Sequence, residues 1–151
     1  MARMKGFTLT DLLVAVVIAA LLVALAVPAY DNFIERARVA RAVGDIGSIS
    51  LAIDAFELRN NGAIPLTLDQ LPIEIPEDPW GRPYQYFNII AAGPGKGGFR
   101  KDGKLNPLNT DYDLYSAGRD GETKGPLSAK ASRDDIVRAN NGAYIGLGED
   151  Y

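Results

Sequence analysis

The sequence predicts an α+β chain: a long N-terminal α-helix, transmembrane in its first half and amphipathic in its second, carrying a small antiparallel-sheet head. Three observations predict it. Residues 12–29 form an apolar run unbroken by polar side chains. Val39, Val43, Ile46, Ile49, Ile53 and Phe56 then recur at spacings of three and four, one stripe of a helix. Beyond Asn60-Asn61-Gly62 the chain is rich in Gly and Pro, with short aromatic and β-branched segments of strand character.

Composition removes many function classes. The 151 residues contain no Cys and no His. Structural disulfides, cysteine zinc sites and thiol catalysis are therefore excluded, and the usual general base is missing. Sixteen basic residues against 19 acidic ones give a net charge of −3. Loss of Arg3 and Lys5 would leave 14 against 19, a net −5. An acidic surface gives no argument for nucleic-acid binding. No catalytic constellation stands out, so the chain reads as a non-enzyme.

The helix begins after a short basic leader, Met1-Ala2-Arg3-Met4-Lys5, that ends in Gly6. An apolar run of this length suits a bilayer core of about 30 Å. A secretory signal peptide would place a small-residue cleavage site after the run, where Val27-Pro28-Ala29-Tyr30 stands. A plain anchor would have no use for Asp11, because an acid in the apolar zone costs about 2.5–3.5 kcal/mol and implies a partner. A third reading has the cut before the run, between Gly6 and Phe7.

Beyond Pro28, Glu35, Arg36, Arg38, Arg41 and Asp45 supply a charged face beside the apolar stripe. A helix over residues 8–60 would be roughly 80 Å long. Pro28 should bend or locally melt it. Gly44 and Gly47 each weaken it by up to about 1 kcal/mol relative to Ala. Stop signals follow at Asn60-Asn61-Gly62, with Pro65 beyond.

In the head, Leu66-Thr67-Leu68-Asp69-Gln70-Leu71 predicts a short helical turn. Tyr84-Gln85-Tyr86-Phe87-Asn88-Ile89-Ile90 and Asp111-Tyr112-Asp113-Leu114-Tyr115-Ser116 predict two strands of an antiparallel sheet laid across the helix. Gly93-Pro94-Gly95-Lys96-Gly97-Gly98 is a turn or loop without the Lys-Ser/Thr ending of a phosphate-binding loop. Trp80, among turn formers, reads as the anchor of an irregular loop. The glycine-rich tail over residues 140–151 either docks on the head or meets a neighbouring subunit.

Three motifs carry a resemblance. Lys5-Gly6-Phe7-Thr8-Leu9-Thr10-Asp11-Leu12-Leu13 resembles the class III signal of type IV pilins and type II secretion pseudopilins. Asp78-Pro79-Trp80-Gly81-Arg82-Pro83-Tyr84 is similar to the Asp-Pro-Trp-Gly-x-Pro-Tyr signature of the major pseudopilin branch. Asp113-Leu114-Tyr115-Ser116-Ala117-Gly118-Arg119-Asp120-Gly121, with Asp134-Asp135-Ile136, resembles that branch's calcium-binding loop.

The resemblance implies a prepilin leader over residues 1–6, a polymerisation and membrane helix over 7–29, an amphipathic half over 30–61 and a head over 62–151. It implies cleavage between Gly6 and Phe7 by a prepilin peptidase, N-methylation of Phe7, and a helix kink at Pro28. Asp11 takes the position where the family usually has glutamate, and would pair with the Phe7 amine of an adjacent subunit during assembly. A carboxylate beside a free amine in lipid supports that role on charge grounds alone. Asp120, Asp134 and Asp135 match the family's Ca2+ carboxylates, with backbone oxygens of Ser116 and Ala117 helping. Segment 122–133 is longer than in the family.

The function implied is a subunit of the pseudopilus, a helical homopolymer that pushes substrates through the outer membrane. The alternative is a type IV pilus or related surface fibre serving adhesion, motility or DNA uptake. The partners implied are minor pseudopilins or pilins and the inner-membrane assembly platform. Before assembly the chain would be single-pass in the inner membrane with its head in the periplasm. The filament would then lie in the periplasm or at the cell surface.

Overall fold

A computed structural model describes residue 6 and residues 8–93, 97–103 and 105–151. The leader residues 1–5 and Phe7 lie outside it, as do Pro94, Gly95 and Lys96 of the glycine cluster. The chain divides into two compact units, residues 1–37 and 38–151.

Helix α1 runs from Leu9 to Arg59, matching the extent predicted. Helical backbone continues through Pro28, so the proline does not melt it. One lost backbone hydrogen bond is a small fraction of those a helix of 51 residues makes. In the first unit the side chains of described residues 8–33 are all exposed. This is the one helix, among the described residues, long and apolar enough by length and composition to cross a membrane. The helix ends where Gly62 N–H donates to the Glu57 carbonyl at 3.0 Å. Asn61 and Gly62 both take positive φ there, the left-handed stop that a non-glycine side chain resists unless it is Asn or Asp.

The second unit is built on the amphipathic half of α1. Ala42, Ile46, Ile49 and Ile53 are buried, with Val39, Val43 and Phe56 packed beside them. Four strands form an antiparallel meander in the order β1 (Gln85–Asn88), β2 (Tyr112–Ser116), β3 (Ile136–Ala139) and β4 (Tyr144–Leu147). Tyr112, Leu114 and Ile136 join the helix stripe in one core cluster. Alternation along the strands sends Tyr115, Val137 and Ala139 into a second cluster with Leu108 and Leu127. The head therefore buries both faces of its sheet.

Two expectations change. Ile89 and Ile90 leave the strand for a single helical turn, α2 (Ile89–Ala92), because the Asn88 side chain accepts from Ala91 N–H at 2.8 Å and caps it. The sheet also has four strands where the sequence predicted two. β3 follows directly on the aspartate pair, and the tail docks on the head as β4. Asn140, Asn141 and Gly142 make the β3–β4 turn at positive φ. Asn141 fastens it by accepting from Thr110 N–H at 2.8 Å and donating its own N–H to Asn109 Oδ1 at 2.8 Å. The expected helical turn after Pro65 is a 3₁₀ turn, Leu68–Gln70.

Candidate functional site

Two sets of residues carry the expected function. The first opens α1. Thr8 N–H and Thr8 Oγ1 donate to Asp11 Oδ2 at 3.0 and 2.8 Å, and Asp11 N–H donates back to Thr8 Oγ1 at 3.2 Å. This reciprocal pair is a capping box. Thr8, three residues before the carboxylate, is the functional neighbour that sequence reasoning missed, and the Thr-x-x-Asp spacing was its signal. Asp11 thus has a partner within its own chain. Gly6 precedes the helix, and Phe7, on the far side of the expected cleavage point, lies outside the described residues.

The second set links the tryptophan turn to the aspartate loop. Asp78 is buried and organises both. Its Oδ1 accepts from Trp80 N–H at 3.0 Å and Arg82 N–H at 2.9 Å. Its Oδ2 accepts from the Ser116 hydroxyl at 2.5 Å. Asp78 N–H donates to the Arg82 carbonyl at 2.7 Å, closing the turn, and Gly81 takes φ +81° inside it. Trp80 packs against the main core cluster, as an anchor should. The turn leads into Tyr84, whose hydroxyl donates to Asp45 Oδ2 at 2.9 Å. Burial, reinforced by the Asp45 hydrogen bond and charge, pushes the Tyr84 hydroxyl far above its ordinary 10.0.

The expected calcium ligands fall in three different settings. Ser116 sits in β2 opposite Ile136, with its hydroxyl committed to Asp78. The Ala117 carbonyl accepts from Gly121 N–H at 3.2 Å. Asp134 Oδ2 accepts from Asp120 N–H at 3.0 Å, and Asp120 Oδ1 accepts from Glu122 N–H at 2.8 Å. Asp135 turns into the head. Its Oδ2 accepts from Arg100 Nη2 at 2.5 Å and from the Thr123 hydroxyl at 2.7 Å, while its Oδ1 is buried without a hydrogen-bond partner. The Arg100 guanidinium also lies 4.4 Å from the centroid of the Tyr115 ring.

Calcium needs six to eight oxygens converging on one point. Among the described residues no three acidic side chains come together to hold a metal ion. The loop's carbonyls at Gly118 and Arg119 are engaged by the Arg82 guanidinium, which donates to both through Nη2. A β-carbon on Gly118 would run into the Asp134 backbone, and one on Gly121 into the same guanidinium. Of the expected carboxylates, Asp135 is paired with Arg100, while Asp120 and Asp134 accept loop N–H groups. The motif does not show that Arg100 pairs with Asp135 or that Arg82 takes the Gly118 carbonyl, because these partners lie 35 and 36 residues apart.

A protein of Pseudomonas aeruginosa named type II secretion system core protein G is 33% identical to this chain, covering 82% of the chain and 89% of the relative. This chain belongs to that family. Core protein G is the major pseudopilin. Its namesake in Escherichia coli K12 is 32% identical over 89% of this chain and 90% of the relative. A pilin relative, the type IV major fimbrial protein FimA of Dichelobacter nodosus, is 32% identical over 74% of this chain and 65% of the relative. No family model and no solved structure gives a significant match.

Proposed function

We propose that this pseudopilin is the structural subunit of a type II secretion pseudopilus, polymerising through α1 and carrying the head outward. One observation supports it above the others. Residues 8–33 present an apolar helix surface with nothing of the first unit covering it. Exposed apolar surface of that extent in water is untenable, so it lies in lipid before assembly and against copies of itself afterwards. Head-to-tail contacts between identical subunits that do not close a ring generate an open helix.

The finer steps are part of the same proposal. A prepilin peptidase cuts between Gly6 and Phe7, and Phe7 becomes the N-methylated first residue. Asp11 exchanges part of its contact with Thr8 for the Phe7 amine of the adjacent subunit, which sets the axial register. Pro28 bends α1 within the filament. The head faces the periplasm, and the assembly platform and minor pseudopilins add and cap subunits. The test is electron microscopy of filaments from cells expressing the full chain with a type II secretion system, together with the mass of the assembled subunit. The proposal expects filaments whose subunits lack residues 1–6 and carry one added methyl group. An unprocessed chain confined to the membrane would overturn it. Filaments exposed on the cell surface would favour the FimA-like reading instead.

A further inference from the structure

We infer that the guanidinium of Arg82 is the resident cation of loop 117–121, so that this pseudopilin holds its aspartate loop closed without a divalent metal. The inference stands apart from the filament proposal, because it concerns how the head folds.

Arg82 is delivered to the loop by a rigid turn. Asp78 fixes the residue's backbone from both sides, accepting its N–H and donating to its carbonyl. The same Asp78 carboxylate is tied to Ser116 at the end of β2, so turn and loop share one buried acid. From there the two hydrogens on Arg82 Nη2 serve the Gly118 and Arg119 carbonyls. Those oxygens are the electron-rich groups that a calcium ion would otherwise collect. The Gly121 Cα has its side-chain direction filled by the guanidinium, which is a reason for glycine there beyond its φ of +74°. On the inner side of the loop, Arg100 engages Asp135 in a buried pair. A dication collecting the Gly118 and Arg119 carbonyls would meet the like charge of the Arg82 guanidinium already bound there. The carboxylates left at the surface, Asp120 and Asp134, make hydrogen bonds to loop N–H groups that close the loop further.

The chemistry is the substitution of a monovalent, covalently attached cation for a diffusible one. An arginine of this kind is always charged and donates in a fixed fork. Its stabilisation therefore does not depend on the concentration of any ion.

The experiment is thermal unfolding of the full-length chain in detergent micelles, with chelator and across a calcium titration reaching about 1 mM, the weak end for extracellular calcium modules. The wild-type melting temperature is expected to be the same throughout. A bound ion would raise it progressively with concentration. Arg82→Gln is expected to lower it by about 4–8 °C, the shift that about 1 kcal/mol produces in a small domain, with no rescue by calcium. Arg82→Lys, which keeps the charge without the fork, is expected to fall between the two. Stabilisation of the wild type by calcium, destabilisation by chelator, or an Arg82→Gln melt equal to wild type would each overturn the inference. The calcium titration of the wild type decides even where the variants fail to fold.

Discussion

At residue scale, the proposed assembly would have the Asp11 carboxylate serve two states. In the single chain Thr8 supplies the hydrogen bonds that a charge near lipid requires. In the proposed filament, the Phe7 amine of the adjacent subunit would replace part of that contact with one of opposite charge. Asp11→Ala removes the pairing group while leaving an apolar helix that still inserts, so membrane levels should hold while filaments disappear from micrographs. Arg100 presents the opposite case, a charge with no second state. It is 2% exposed and holds Asp135, itself fully buried. Arg100→Leu leaves that carboxylate uncompensated, and urea unfolding in detergent should show a loss of about 3–5 kcal/mol. Tyr84 gives the head a pH dependence. Its hydroxyl keeps its proton in the folded head well above 10.0, whereas the unfolded chain releases it near 10.0. Stability from this group is complete below that pH and falls as pH rises beyond it. Melting temperatures between pH 9 and 11 should decline, and Tyr84→Phe should flatten the decline.

At the scale of elements, the decisive one is the second half of α1, because it is both scaffold and core. Ile53 is fully buried and Leu51, two positions away, is 70% exposed. Ile53→Ala should cost about 2–5 kcal/mol by the lost apolar contact and the cavity left behind. Leu51→Ala should stay within about 0.5 kcal/mol in the same unfolding series. Gly44 and Gly47 have open space where a β-carbon would sit. Gly47→Ala should therefore raise the melting temperature, through up to about 1 kcal/mol of helix propensity. If these glycines admit close approach of neighbouring helices, the same substitution will weaken filaments while strengthening the monomer.

At the scale of the whole molecule, the head is held by buried polar bridges as much as by apolar packing. Asp78 joins the tryptophan turn to β2, and Arg100 joins the segment before β2 to Asp135 at the foot of β3. Arg138 of β3 grips Asp111 through two hydrogen bonds and lies 3.9 Å from the centroid of the Tyr112 ring. These connections bring together positions 27 to 38 residues apart. They let a short, glycine-rich chain stay ordered without disulfides, where an isolated small sheet would be marginal.

The helix, its stripe and its end were legible because their signals are local and periodic. Apolar spacing of three and four marks the buried face of α1, and Asn60-Asn61-Gly62 marks its end. β1 and β2 were legible from aromatic and β-branched content. β3 was hidden because Ile136-Val137-Arg138-Ala139 is too short to show alternation. β4 was hidden because Gly146 interrupts it within a glycine-rich tail, and it gains strand geometry by pairing with β3. The N-terminal motif, the tryptophan motif and the aspartate loop together pointed to the family, and the relatives place the chain in it.

By itself, then, the sequence determined the membrane-length apolar helix, the stripe that carries the head, and membership of the pseudopilins. These depend on composition and on spacing within one turn or one motif. Only the tertiary structure decided which groups face the aspartates. Arg100 reaches Asp135, and Arg82 reaches the loop carbonyls of Gly118 and Arg119, through a turn and a sheet that bring distant segments together; hydrogen-bond geometry across such distances is not written in local spacing.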